Sequence, residues 1–203
     1  MVNAPRLLVM ATLLLAPQTV RAADCTQAGN LLTNCGFDVD LTGWNITAAD
    51  ASTHIADDGA FALGSVELDR DDGLEAVEMF SGCVMVTPDT EYDFGVAHRL
   101  VMGPFAQRCF LDILEYDAVA CGDFLGSTAI AFTPVPSWSE VFDRHQVGAL
   151  TESVTVRLVC SYSKNDFVVR FDDFMFGENL FSPVIFNDGF ESEFTGVWSS
   201  VSP

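Results

Sequence analysis

Basic residues are scarce in this 203-residue chain. Nine lysines and arginines stand against 29 acids, giving a net charge of −20. A surface of that sign repels phosphate backbones, so nucleic acid is excluded as a partner. Anionic membranes and anionic glycans are disfavoured for the same reason. Divalent cations, above all Ca²⁺ with its preference for carboxylate and carbonyl oxygens, are favoured; plain solubility is the other use of so many acids. Catalytic signatures are missing too. There is no G-x-S-x-G elbow, and His54, His98 and His145 lie outside any H-E-x-x-H context. No cysteine pair has the C-x-x-C spacing of a zinc site. No glycine-rich loop joins a strand to a helix, which argues against nucleotides. A glycosidase needs two carboxyls at a set separation, but 29 acids always offer a pair, so that test does not discriminate. The expectation is a protein that is not an enzyme, with a minimal hydrolase as the remote alternative.

Long apolar runs are also lacking. The longest spans residues 7–16, well short of the roughly 20 residues that cross a bilayer. Arg6 precedes it, and Thr19-Val20-Arg21-Ala22-Ala23 follows with small residues placed for cleavage after Ala22 or Ala23. This layout reads as a signal peptide over residues 1–22, hence a secreted, extracellular or periplasmic protein with no membrane span. Losing Arg6 and Arg21 makes the exported chain more negative still. Residues 23–180 amount to a single domain with enough chain for a sizeable core.

Six cysteines, Cys25, Cys35, Cys83, Cys109, Cys121 and Cys160, all lie beyond the leader. An even number in an exported chain reads as three disulfides, whose pairing the sequence does not fix. Preference for short loops gives Cys25–Cys35 and Cys109–Cys121, leaving Cys83–Cys160 to join distant strands. The hydrophobic pattern alternates throughout. Tyr92, Phe94 and Val96 share one face, as do Val154, Val156, Leu158 and Cys160, with Thr155 and Arg157 opposite. Further strands are expected over 77–86, 108–116, 129–132, 140–145 and 167–176. Turn residues separate them at 57–59, 71–73, 87–89, 102–104 and 163–166. No helical periodicity appears. The fold class is therefore all-β, a β-sandwich or jelly roll.

The segment Asn34-Cys35-Gly36-Phe37-Asp38-Val39-Asp40-Leu41-Thr42-Gly43-Trp44 is echoed near the end. There the chain reads Asn187-Asp188-Gly189-Phe190-Glu191-Ser192-Glu193-Phe194-Thr195-Gly196-Val197-Trp198. Residues 181–203 form a tail with this G-F-E…W motif. It resembles short tails of exported bacterial proteins, which implies sorting or processing; a loosely ordered terminus is the plainer reading.

The opening Asn30-Leu31-Leu32-Thr33-Asn34-Cys35-Gly36-Phe37-Asp38, with Gly43-Trp44 after it, resembles the start of family 4/9-type carbohydrate-binding modules. Asp58-Gly59 with Leu63-Gly64-Ser65-Val66, residues 84–94, Trp138, and Phe171-Asp172-Asp173-Phe174 resemble later segments in the same order. The resemblance spans residues 30–176 and implies a galactose-binding-like jelly roll. It also implies a structural Ca²⁺ held by Asp38, the Gly36 and Phe61 carbonyls, Asp58, and Asp172 or Asp173. Cys35 departs from the family's usual glycine, as a disulfide partner would. Glycan binding uses aromatic faces flanked by polar groups. Trp44 and Tyr92 occupy core positions of the pattern, which leaves Tyr116, Trp138 and Tyr162 as platforms. His98, Arg99, Gln107 and Arg108 are the expected polar partners. The function implied is a module that binds a neutral glycan. The rival is a structural or adhesive protein with an extracellular protein partner.

Overall fold

A computed structural model describes residues 25–47, 52–70, 76–103, 108–161 and 166–181. The expected leader, the tail motif, Tyr162, Gln107 and most of the turns at 71–73 and 163–166 lie outside these residues. The described residues form eleven strands: β1 Asn45–Thr47, β2 Ser52–Ile55, β3 Ser65–Arg70, β4 Ala76–Phe80, β5 Val84–Met85, β6 Glu91–Met102, β7 Arg108–Tyr116, β8 Phe124–Phe132, β9 Ser139–Gln146, β10 Ser153–Ser161 and β11 Phe167–Gly177. Among the described residues no helix is long and apolar enough to cross a membrane.

The strands form two antiparallel sheets, as the alternation requires. One has the order β1-β4-β10-β7-β8, with β5 also on β10; the other has β2-β3-β11-β6-β9. Inward residues fill the space between them. Tyr92, Phe94 and Val96 of β6 meet Val154, Val156, Leu158 and Cys160 of β10 in one core, each almost wholly buried. Phenylalanine dominates it: Phe37, Phe94, Phe167, Phe171, Phe174 and Phe176 are fully buried. Burying rings of this size supplies much of the drive to fold. Tyr92 stacks on Phe176 at 4.9 Å and keeps its polar tip satisfied, the Thr87 amide donating to its hydroxyl at 2.8 Å.

The segment expected as one strand over 77–86 is interrupted: β4 and β5 both pair along β10, and Ser81-Gly82-Cys83 between them carries one residue more than β10 does, with the Val156 amide donating to Ser81 Oγ at 3.0 Å. The strands β1 and β2, of three and four residues, carry too few alternating residues to announce themselves.

Of the expected disulfides, Cys25–Cys35 is present, but the other two pairings are corrected to Cys83–Cys121 and Cys109–Cys160. The reason is strand geometry. Cys109 begins β7 and Cys121 lies beyond its far end, so an extended strand at about 3.3 Å per residue holds them apart. Cys109 instead faces its register partner Cys160 on β10, with Cα atoms 4.1 Å apart. The loop after β7 folds back over β10, where the Cys121 amide donates to Ser153 Oγ at 3.1 Å and its sulfur meets Cys83. Such bridges form in oxidising compartments.

The first and last described segments meet at β11. The Cys25 amide donates to Asp173 Oδ1 at 2.9 Å, the Leu31 amide to the Phe176 carbonyl at 2.8 Å, and the Gln27 side-chain amide to the Leu180 carbonyl at 2.8 Å. The opening loop also builds itself. Asn34 Nδ2 donates to the carbonyls of Asp40 and Thr42, each at 2.9 Å, and the Thr42 amide donates to Asp40 Oδ1 at 2.8 Å. Trp44 Nε1 donates to the Asn34 carbonyl at 3.1 Å. The closed loop sets Phe37 and Trp44 side by side, 5.5 Å between centroids, and both rest on Phe174.

Candidate functional site

Successive side chains along a strand alternate between core and solvent. On β6 the core takes Val96, so Ala97 and Arg99 face outward. On the neighbouring edge strand β9, Glu140 lies opposite Ala97 and Phe142 opposite Gly95. Phe142 is 47% exposed, because the inward places are already taken. Trp138 stands just before β9, and Ala60 and Phe61 come over from the loop between β2 and β3. Together with Ser139 these residues line an open cleft of about 470 Å³. Phe61 is 52% exposed, so the cleft presents bare aromatic surface.

A network of charges holds the floor. The Asp58 carboxylate accepts hydrogen bonds from both Arg99 and Arg170, and Arg170 Nε also donates to Glu67 Oε2 at 2.7 Å. The Arg99 guanidinium lies 5.2 Å above the Trp138 ring, a cation–π contact that covers one face of the indole. Trp138 Nε1 points at Asp58 Oδ1, 3.5 Å away. Partly exposed ion pairs add little stability each. Linked in series they fix the tilt of Trp138 before any ligand arrives, and pre-arranged geometry favours binding.

The loop that brings Phe61 over is anchored from below. Ser65 Oγ donates to the Asp58 carbonyl at 2.6 Å, and the Ala60 amide donates to Asp172 Oδ2 at 2.7 Å. Asp172 is 1% exposed. Burial, then the charge of the adjoining Asp173, pushes its carboxyl up to about 8. The two acids sit at a bulge of β11 where Asp173 takes a left-handed conformation (φ 46°). Above them Gly59 leaves room that no side chain allows. A Cβ there would fall 2.0 Å from the Ala62 carbonyl oxygen, 2.5 Å from that of Gly64 and 2.9 Å from Asp172 Oδ2. Three oxygens thus converge over one glycine. Gly64 (φ 127°) in turn rests on the backbone of Phe37 and Asp38, where a Cβ would come within 2.5 Å of the Phe37 carbonyl.

The expected calcium residues are therefore drawn together by segment but not all by side chain. Asp172 and Asp173 are central. Gly36 is buried against Cys25, and Asp38 is exposed beside it. Asp58 is committed to two guanidinium groups, and the converging carbonyls are those of Ala62 and Gly64. The Phe61 side chain belongs to the cleft. Among the described residues no group of three or more His, Cys, Asp or Glu side chains is placed to hold a metal.

Of the expected glycan platform, Tyr116 and Trp138 lie apart, and Tyr162 is outside the described residues. Tyr116 and Arg108 share one side of β7 but stand at its two ends, about 25 Å apart along an extended strand. That face belongs to the other sheet from the one carrying Trp138. His98 is not a surface partner: it is 4% exposed, turned into the core and stacked on Phe132 at 4.7 Å. Burial lowers its pKa to about 4. Phe142, Ser139 and Glu140 were missing from the expected set. Their signal is an aromatic at an outward place of an alternating strand, beside a tryptophan.

No family model and no curated protein matches this sequence. Solved structures do match in shape. One is a family 61 carbohydrate-binding module in complex with β-1,4-galactotriose (17% identity, TM-score 0.53, 73% of this chain and 98% of that one). Another is a family 16 carbohydrate-binding module (15%, 0.57, 73% and 100%). A third is a xylanase 10B fragment of Clostridium thermocellum that joins a family 22 module to a family 10 glycoside hydrolase module, complexed with xylohexaose. It shows 13% identity and a TM-score of 0.54 over 74% of this chain and 29% of that one. Because the likeness crosses several module families, it does not single out family 4 or 9. The chain has the β-jelly-roll fold of carbohydrate-binding modules.

Proposed function

We propose that this chain is an exported glycan-binding module, not an enzyme, that takes a neutral oligosaccharide in the Trp138–Phe142–Phe61 cleft. The observation that carries the reading is the cleft itself: exposed aromatic surface beside Glu140 and Ser139, on a sheet made rigid by the core beneath. Sugar rings offer C–H faces to aromatics and hydroxyls to carboxylate and hydroxyl oxygens. The net charge of −20 favours uncharged sugars. A module of the same shape is solved in complex with β-1,4-galactotriose, and a two-module xylanase fragment that includes such a module with xylohexaose. Asp58, bound by two arginines, is ill suited as a nucleophile or general base. The apolar run at 7–16 and the three disulfides support export.

The test is binding of the exported chain to a neutral-glycan array that includes both oligosaccharides, followed by titration of the best ligand. Trp138→Ala and Phe142→Ala should each weaken binding by about tenfold or more, the scale of one lost aromatic contact. Tyr116→Ala, on the other sheet, should leave it unchanged. Binding that survives the first two changes and fails in the third would move the site to the opposite face. No binding at all by folded protein would favour the structural or adhesive reading, with a protein partner.

Calcium belongs to the same proposal, as a structural ion. Asp172 with the Ala62 and Gly64 carbonyls would hold it, with Asp38 and Asp173 alongside, and the ion would offset the two buried acids. Ligand linkage then raises stability with free metal. Millimolar Ca²⁺ should raise the melting temperature by several degrees, the effect of roughly 2–3 kcal/mol in a domain of this size. EDTA should remove the gain, and Asp172→Asn should make the melt indifferent to both. A melt insensitive to chelation in the unaltered protein would defeat the idea.

A further inference from the structure

The described chain ends beside the cleft. Phe181 packs on Phe142, ring centroids 4.9 Å apart at 37°, and its amide donates to Asp93 Oδ2 at 2.8 Å. Leu180, 4% exposed, packs with Met175 and holds the preceding turn to the sheet. Phe181 thus sits at the aromatic wall that the glycan reading uses, six positions before Asn187.

What those residues carry is legible from the opening loop. Asn34, Asp40, Thr42 and Trp44 close that loop on itself and present a Phe37–Trp44 pair to the ring of Phe174. The tail repeats the parts as Asn187, Glu193, Thr195 and Trp198, with Phe190 in the place of Phe37. Glutamate stands for aspartate, and one residue is added before the tryptophan. A second such loop would offer a second Phe–Trp pair in need of an aromatic platform. Phe174 is taken by the first copy, which the Cys25–Cys35 bridge secures. The exposed platform next to the tail's origin is Phe61, Trp138 and Phe142.

We propose that residues 187–198 dock in this cleft on their own chain, with Phe190 and Trp198 against its aromatic wall, so that the tail and the glycan compete for one site. The proposal rests on the cleft being the glycan site only as regards the competition. Short tethering gives the tail an effective concentration near millimolar, enough to make even a modest contact occupied.

The experiment compares the full exported chain with its Phe190→Ala/Trp198→Ala variant and with a chain ending at Ser182. Hydrogen exchange of amides 138–142 is the first readout, and titration with β-1,4-galactotriose and xylohexaose the second. Exchange at these amides should quicken by about tenfold in both altered chains, and an oligosaccharide that binds should bind them about tenfold more tightly. A synthetic peptide of residues 185–200 added to the shortened chain should restore the protection. Faster exchange with no sugar binding in any form keeps the tail contact and discards the glycan reading. Sugar binding with identical exchange and affinity in all three chains keeps the glycan reading and overturns the tail contact. Protection that grows with protein concentration, together with a doubled mass by light scattering, also overturns it, because the occupant is then a second copy.

Discussion

Replacing Cys109 and Cys160 together by alanine should destabilise the domain by about 4 kcal/mol, the loop-entropy value for a bridge of this span. The bridge closes a sequence separation of 51 residues, the longest of the three. Both cysteines are fully buried in the core, where the neighbouring strands β7 and β10 lie side by side. Cutting it frees the denatured chain and also removes packed atoms, so the terms add. Urea unfolding monitored by tryptophan fluorescence should show the midpoint fall and the slope steepen, because the uncrosslinked denatured chain exposes more surface. Removing Cys25 and Cys35, separated by 10 residues, should cost less. Equal losses from the two changes would show that loop length does not govern here. Non-reducing peptide mapping should recover Cys83 joined to Cys121.

Acid should weaken the fold through His98. Its ring lies between the sheets, stacked on Phe132, with Phe171 as its register partner on β11. Nδ1 is buried without a hydrogen-bond partner. Burial holds its pKa near 4 in the folded state against 6.5 for the free side chain. Between those values the unfolded chain binds a proton and the folded one does not, so stability rises with pH across the window and falls as the solution is acidified. Above 6.5 the effect is complete and flat; below about 4 no further loss accrues. The shift corresponds to about 3 kcal/mol. Asp172, whose carboxyl is raised to about 8, acts with the opposite sign, because there the folded state keeps the proton longer. The readout is therefore the difference between the native protein and His98→Leu. Once the curves are aligned at pH 4, that difference should widen steadily toward pH 6.5, the native protein gaining stability that the variant does not. Curves parallel over this range would mean that the histidine is solvated or already charged in the fold.

Much of the architecture could be read from residue patterns. The alternation of Tyr92, Phe94 and Val96, and of Val154 through Cys160, predicted both strands and their inward faces. A strand's period of two is a local property, so local sequence shows it. Which strands lie side by side is not local, and the cysteines show the cost. Cys109 and Cys121 look near because they are close along the chain, yet the strand between them is rigid and extended. The site divides in the same way. Asp172 or Asp173 was expected to close a metal site; the structure buries both at the bulge of β11. Asp58 was expected among the metal's oxygens, but β6 and β11 bring Arg99 and Arg170 across to claim it. Trp138 was chosen as a lone tryptophan at a strand start. Its companions Phe61 and Phe142 come from a loop and a strand, 81 positions apart in the chain, an encounter that only the sheet order creates.

The meeting of the first and last segments at β11 has a mechanical consequence. Both ends of the domain leave from the same flank, tied by the Cys25, Leu31 and Gln27 hydrogen bonds. Spliced into a longer polypeptide, such a body hangs as a pendant rather than a link. Tension along the host would run past it through those few bonds and leave the sandwich unloaded.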